Sequence, residues 1–411
     1  MAKTIYRGIS EALTLAGAAQ KNGRHVKEQD LSILTNAACI AEDGRIVWIG
    51  SEKNLPSGRV EKEVDLGGAI VLPAFVECHT HLAFAGDRSA EWDWKQQGLT
   101  YQEIAARGGG IISTVKATRA CSDSELLELM QNRANRFVEQ GITTLEVKSG
   151  YGLDLESEMK SLKVAAEIHG PRVVRTFLGP HSKPPEFATV DEYFEFVMEK
   201  LLPEIAKKKL TERADIFIEK GFFTAEQGER YFKKAKSLGL DITAHVEQLS
   251  NSGGTSAALK NKALSVDHVI ELKEDEITRL AKSETVAVLL PASDFYLQVK
   301  YPPARSLIDQ GACVALSTDF NPGTSPTQDL SFVGVLARIE MKMSLPEVLS
   351  AWTIGAAKAL KKQAIVGSLE VGKQCDFICL DADWRTLFYS VGHHPVTQVW
   401  KDARKLFEKK F

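Results

Sequence analysis

Five residues scattered along the chain could between them hold a metal ion: His79, His81, His245, His268 and Asp319. Two of these stand one residue apart, in Val76-Glu77-Cys78-His79-Thr80-His81, directly after the apolar run 69–76. On an extended strand, positions i and i+2 share a face, so both imidazoles point the same way. That geometry suits two ligands on one ion. A His-x-His pair by itself is equally at home on a solvated strand, and the remaining candidates decide between the readings.

The elements that must position them alternate along the chain. From about residue 75 to 360, short apolar β-branched runs alternate with longer amphipathic segments. Eight strands are expected, at 75–79, 143–147, 173–178, 215–218, 241–245, 263–267, 286–290 and 314–317. Helices are expected between them, for example over 123–139, 155–167, 225–238 and 274–282. Continuous apolar strands separated by helices imply a parallel sheet covered on both faces. Eight such units in roughly 285 residues match the size of a (β/α)8 barrel. A doubly wound sheet is the main rival, but no strand is followed by a Gly-x-Gly-x-x-Gly turn; Gly108-Gly109-Gly110 continues as Ile-Ile-Ser.

The flanks differ. Short strands at 45–50, 376–380 and 396–400, with turn signals and no long helices between them, imply a small β-sandwich domain built from both chain ends. The expected division is 1–70 and 361–411 for that domain and 71–360 for the barrel.

Barrel chemistry sits at the C-terminal ends of the strands. His79 and His81 end strand one, His245 ends strand five, His268 ends strand six, and Asp319 ends strand eight. Each alone reads as a packed or capped strand end; recurrence at correctly phased ends argues against that. Closure places strand eight beside strand one, so Asp319 is expected near His79 and His81. Three imidazoles and a carboxylate suit Zn²⁺, and also Fe²⁺.

The 411 residues are 44% hydrophobic and 26% charged with a formal net charge of −3, an ordinary globular balance. No basic block argues for nucleic acid as a partner. No apolar stretch reaches the roughly 18–20 residues of a membrane span, and no convincing leader is visible, so a cytoplasmic protein is expected. The six cysteines form no disulfide framework and are expected as buried thiols. An exposed helix around 331–343 would allow a homodimer.

In these features the chain resembles the amidohydrolase superfamily and, more narrowly, the imidazolonepropionase family of histidine degradation. The resemblance is carried by the ligand pattern above and by the segments 79–88, 108–119, 146–154 (Glu-Val-Lys-Ser-Gly-Tyr-Gly-Leu-Asp), 177–181, 248–251 and 316–326. It covers nearly the whole chain. It implies that His79, His81, His245 and Asp319 bind one zinc or iron ion (Zn²⁺, or Fe²⁺/Fe³⁺) per subunit. Such an ion lowers the pKa of bound water from about 16 towards about 7. The implied reaction is hydrolysis of the ring C–N bond of 4-imidazolone-5-propanoate to N-formimidoyl-L-glutamate.

The same resemblance assigns Arg88 to the substrate carboxylate, which a guanidinium can grip with two parallel hydrogen bonds. A surface ion pair with Asp87 or Glu91 is the plainer reading of Arg88. Tyr151 and His181 match substrate-contacting positions, and Asn321, Gly323 and Thr324 match positions that hold the product. A Pro-Gly turn accounts for Gly323 equally well. Gln248 departs from the family, where Glu is common three residues after the strand-five histidine. An amide orients a substrate but cannot serve as a general base. Proton transfer is therefore expected of Asp319, with His268 polarising the scissile group. Glu247 should face away from Gln248, and Lys148 and Lys220 read as ion-pairing lysines.

Two rivals are weighed beside this reading. One is another cyclic amidohydrolase or deaminase of the superfamily acting on a small heterocycle; Arg88 and Tyr151 favour an anionic one. The other is a non-catalytic barrel serving as a scaffold, which would have no use for a full ligand set.

Overall fold

The computed structural model describes residues 3–58, 60–99, 103 and 107–410. Four strands open the chain: β1 (Lys3–Leu13), β2 (Ile33–Glu42), β3 (Arg45–Ser51) and β4 (Lys62–Pro73). Nine shorter strands follow: β5 (Phe75–Glu77), β6 (Ile142–Lys148), β7 (Arg172–Phe177), β8 (Arg213–Ala214), β9 (Phe217–Ile218), β10 (Asp241–Val246), β11 (Ser265–His268), β12 (Val286–Leu289) and β13 (Val314–Leu316). The chain closes with β14 (Phe377–Leu380), β15 (Val396–Lys401) and β16 (Arg404–Glu408).

The middle group forms a parallel sheet in the order β13-β12-β11-β10-β8-β7-β6-β5, with β9 paired to β10. The fourth strand is therefore two short pieces, β8 and β9, rather than one. The ring is nearly closed. Between β5 and β13 the seam is made past the strand ends: Thr80 bridges Phe320 in parallel, and the His81 N–H donates to the Phe320 carbonyl at 2.9 Å. Side chains finish the seam, with Ser317 Oγ accepting from the Cys78 N–H at 3.2 Å and donating to the Glu77 carboxylate.

Helices cover this barrel where the amphipathic segments lie. The helix Asp123–Glu139 shows why. Ser122 Oγ accepts from the Glu125 N–H while the Glu125 carboxylate accepts from the Ser122 N–H, a reciprocal cap that starts the helix. Leu126, Met130, Ala134, Phe137 and Val138 recur at helical spacing and are all buried. The helices Leu155–Ala166, Ala225–Ser237 and Glu274–Ala281 lie within a residue of their expected ends. The helix Leu330–Ile339 is mostly buried, not exposed as its sequence suggested; Ile339 is the residue left open.

Both chain ends build one mixed sheet, β16-β15-β14-β4-β1-β2-β3. Neighbouring strands lie about 4.8 Å apart, yet the Tyr6 ring of β1 is 5.2 Å from that of Trp400, three strands away. The sheet curls over its own apolar core, in which Tyr6, Phe377 and Trp400 pack together. β4 runs past residue 70 to Pro73, and β5 starts two residues later, so one apolar run serves both sheets. All six cysteines are free thiols, buried except for half-buried Cys121. Among the described residues no helix is long and apolar enough to cross a membrane.

Candidate metal and substrate site

The four sequence-predicted ligands converge at the C-terminal mouth of the barrel. Donor atoms of His79, His81 and His245 lie within 4.8 Å of one another, as do those of His79, His268 and Asp319. Asp319 Oδ1 stands 3.3 Å from His79 Nε2 and 3.4 Å from His81 Nε2, and His245 Nε2 is 3.3 Å from His81 Nε2. Every one of these side chains is buried.

Carboxylates behind the imidazoles fix which nitrogen faces inward. Asp267 Oδ2 accepts from His79 Nδ1 at 2.7 Å, and Asp215 Oδ1 accepts from His245 Nδ1 at 3.1 Å. Each pairing leaves Nε2 bare and aimed at the common centre, the arrangement that orients metal-binding histidines. Behind Asp215 lies a buried charge cluster: Lys148 Nζ donates to Glu146 at 2.7 Å and sits 3.3 Å from Asp215. Glu146 also accepts from the Thr80 N–H at 3.0 Å, which locks the residue between the two histidines to the second strand. Lys148 is thus an ion-pairing lysine, and Lys220 is exposed.

The backbone turns sharply at these strand ends. Glu247, His268, Val269 and Asp319 all have positive φ (48°, 78°, 51° and 52°), a region that costs a non-glycine residue about 1–3 kcal/mol. The turn at Glu247 sends its carboxylate away from the mouth to cap the helix Gly254–Lys260, accepting from the Gly254 and Thr255 N–H groups at 2.8 Å. Gln248 is left facing the cavity.

The electrostatics fit a cation here. Burial opposes charge on His79 and Lys148 repels it, but the carboxylates of Asp267 and Asp319 outweigh both and push the imidazole up to about 9. Positive charge is favoured at that spot. Burial holds His81 down at about 4 and His268 at about 3, so both are neutral, the form in which imidazole ligates. Burial opposes ionisation of Asp319, yet His79 and His81 hold its carboxyl well below the usual range. His79 Nε2 and Asp319 Oδ1 have no hydrogen-bond partner among the described residues. A divalent ion would satisfy both atoms.

A cavity of about 420 Å³ opens over this cluster. Apolar walls from Ile111, Phe217, Phe222, Leu249 and Leu297 surround a few convergent polar groups: Arg88, Tyr151, His181, Gln248, His268, Asn321 and Thr324. Tyr151 sits on a loop shaped by Glu158, whose Oε1 accepts from the N–H groups of Gly150, Gly152 and Leu153 at 3.1, 2.8 and 2.8 Å. Gly150 has φ +114°, and a Cβ there would meet the Leu178 carbonyl at 2.8 Å, so glycine is required. This turn leaves the Tyr151 side chain lining the cavity.

His181 donates from Nδ1 to the Gly150 carbonyl at 3.0 Å, leaving Nε2 as an acceptor, and its ring stacks on His81 at 5.0 Å. Asn321 builds the turn beyond Asp319: its Oδ1 accepts from the Gly323 and Thr324 N–H groups at 2.9 and 2.7 Å. A Cβ on Gly323 would come within 2.0 Å of Arg88 Nη1. A side chain there would displace the guanidinium, so glycine leaves Arg88 its present place.

Arg88 does pair with Glu91, though not at the surface: Glu91 is buried, and Arg88, on the cavity wall, is half-buried. Arg133, which no sequence pattern singles out, donates to the Leu82 and Phe84 carbonyls at 2.9 and 2.6 Å and lies 3.6 Å over the Phe84 ring. It pins the segment between His81 and Arg88. Asp215, Asp267 and Glu146 were also missed. Their available signal was a carboxylate inside an otherwise apolar strand, a position that charged residues rarely take unpaired.

A nearly closed parallel barrel with a His-x-His after its first strand and further ligands after strands five, six and eight defines the class of metal-dependent barrel hydrolases. The sequence profile of the Amidohydrolase family matches residues 70–406. A protein named imidazolonepropionase from Bdellovibrio bacteriovorus is 53% identical over 407 residues, covering 98% of this chain and 96% of the relative. One of the same name from Clostridium tetani is 36% identical, covering 99% of each chain. Among solved structures, a zinc-bound adenosine deaminase from Xanthomonas campestris superposes with a TM-score of 0.71 at 19% identity, over 98% of this chain and 92% of its own. A zinc complex of atrazine chlorohydrolase from Arthrobacter aurescens gives 0.68 at 18%, over 98% and 95%. The chain belongs to the amidohydrolase family and, within it, to the imidazolonepropionase family.

Proposed function

We propose that this site hydrolyses the ring C–N bond of 4-imidazolone-5-propanoate, giving N-formimidoyl-L-glutamate, and that His79, His81, His245 and Asp319 hold a single zinc or iron ion. The observation that carries the assignment is the meeting of those four residues at the floor of a cavity whose wall holds Arg88. Zinc in structurally similar proteins supports zinc as the ion. When bound, the ion supplies Lewis acidity that makes water a nucleophile at neutral pH.

The chain's own residues do the rest. Arg88 and Tyr151 bind the propanoate, and Gln248 and His181 orient the ring by hydrogen bonds. Asp319, held ionised by its histidine neighbours, accepts a proton from the attacking water at its carboxylate and returns it to the ring nitrogen that leaves. His268, neutral and 5.3 Å from the His245 ring, donates an N–H to the carbonyl oxygen as charge builds there. The hydrolysis adds one water across the lactam bond, so the new carboxylate and the amidine are accounted for. Asn321, Gly323 and Thr324, on the turn after Asp319 with Gly323 against Arg88, hold the product.

Turnover of imidazolone propanoate by the purified holoprotein, compared with guanine and dihydropyrimidine, tests this reading. Turnover of either neutral heterocycle in preference to the imidazolone would defeat it. Metal analysis of the same preparation separates an enzyme from a scaffold, because a scaffold would purify without stoichiometric metal.

A further inference from the structure

Arg88 carries five N–H donors on a planar fork, and its surroundings account for one edge of it. Nε donates to Glu91 Oε1 at 2.9 Å and Nη2 to Oε2 at 2.7 Å. Glu91 lies in the first turn of the helix Ser89–Gln96, and its side chain is only 6% exposed. Its Oε1 also accepts from the Gly110 N–H at 2.7 Å, and the next residue, Ile111, is part of the cavity wall. The far end of the guanidinium, Nη1, lies against Gly323, where the missing side chain leaves it room.

We propose that Glu91 is a positioning and specificity-determining residue: by occupying the Nε/Nη2 edge of Arg88 and tying it to Gly110, it presents the Nη1/Nη2 end to one carboxylate. Two consequences follow from the chemistry. An unclamped arginine side chain has many rotamers, so the clamp removes ordering cost that binding would otherwise bear. The pair is also neutral overall, so a second negative charge on the ligand meets Glu91 as a like charge instead of an unshared cation. A compact monocarboxylate is the ligand class this suits. The inference deepens the proposed function and rests on Arg88 receiving the substrate carboxylate.

The test uses metal-loaded Glu91→Ala and Glu91→Gln proteins. The amide introduced by Glu91→Gln keeps one oxygen for Nε and Gly110 while losing the acceptor for Nη2, so that variant should fall between wild type and Glu91→Ala. KM for imidazolone propanoate should rise about tenfold or more in Glu91→Ala, with kcat within about threefold, and by a smaller factor in Glu91→Gln. KM for the neutral propanamide analogue, which offers Arg88 no carboxylate, should not move. An unchanged KM for the acid, or an equal rise for acid and amide, overturns the proposal; the second result makes Glu91 a mere wall support. Should Glu91→Ala not fold, Glu91→Gln carries the same comparison. Should the wild-type protein leave imidazolone propanoate untouched, the proposed function fails instead. Calorimetric binding of propanoate and of succinate to the holoproteins then tests Glu91 by itself. Weaker propanoate binding and relatively stronger succinate binding in the variants support it, and unchanged binding of both refutes it.

Discussion

Replacing Asp267 by Asn isolates what the carboxylate behind a metal-site histidine contributes. The bond from His79 Nδ1 to Asp267 is short at 2.7 Å, and the two side chains are 0% and 1% exposed. Losing such a partner typically costs 10–100-fold in metal affinity, or about 1.4–2.8 kcal/mol at 1.4 kcal/mol per tenfold. The short, dry bond puts Asp267→Asn near the upper end, about 100-fold. Asp215 is the internal comparison. Its bond to His245 is longer at 3.1 Å, and its other oxygen is engaged by Lys148 at 3.3 Å. Asp215→Asn should therefore cost nearer tenfold. Zinc affinity is measured by competition with a chromogenic chelator, with thermal melts of the metal-free proteins as a control for folding. Zinc held by Asp267→Asn as tightly as by wild type would falsify the orienting role, and a reversed order of the two variants would break the distance argument. Complete loss of zinc would make Asp267 a ligand in its own right, which its proximity to Asp215 and His245 allows geometrically.

Further outcomes are expected from other positions. Arg88→Ala should raise KM for the imidazolone about 100-fold, two charge-assisted hydrogen bonds being lost, while metal content by elemental analysis stays intact. Asp319→Asn should lower kcat about a thousandfold, the scale of a lost acid–base group; retained activity would mean that the proton carrier is misassigned. His268→Ala should lower kcat far more than it lowers bound metal. Because donor atoms of His268, His79 and Asp319 also lie within 4.8 Å of one another, parallel loss of metal would make His268 a ligand. Arg133→Met should reduce unfolding free energy by about 2–4 kcal/mol in denaturant titrations, from two hydrogen bonds and a close cation–π contact.

The alternation of apolar runs with amphipathic stretches determined the barrel, because strand and helix periods are local properties of the chain. The His-x-His spacing and the rule that barrel chemistry gathers at strand C-termini then located His79, His81, His245, His268 and Asp319 in advance. Strand four was harder, since Asp215–Ile218 reads as one run but the pairing falls on Arg213–Ala214 and Phe217–Ile218. The pairing of Asp267 with His79, of Asp215 with His245 and of Glu91 with Gly110 was not legible at all. These contacts join residues far apart in the chain, and no local pattern encodes which carboxylate meets which donor.

Asp267 and His268 show the division most clearly. Neighbours on a regular strand face opposite sides, yet both side chains take part in the cluster at the mouth, one on His79 and the other beside His245. The left-handed backbone at His268 allows it. Sequence determined which residue types stand at the strand ends. Tertiary structure alone decided which way each turns and what it touches, because those turns are conformations that a residue adopts only when the packing around it makes up their cost.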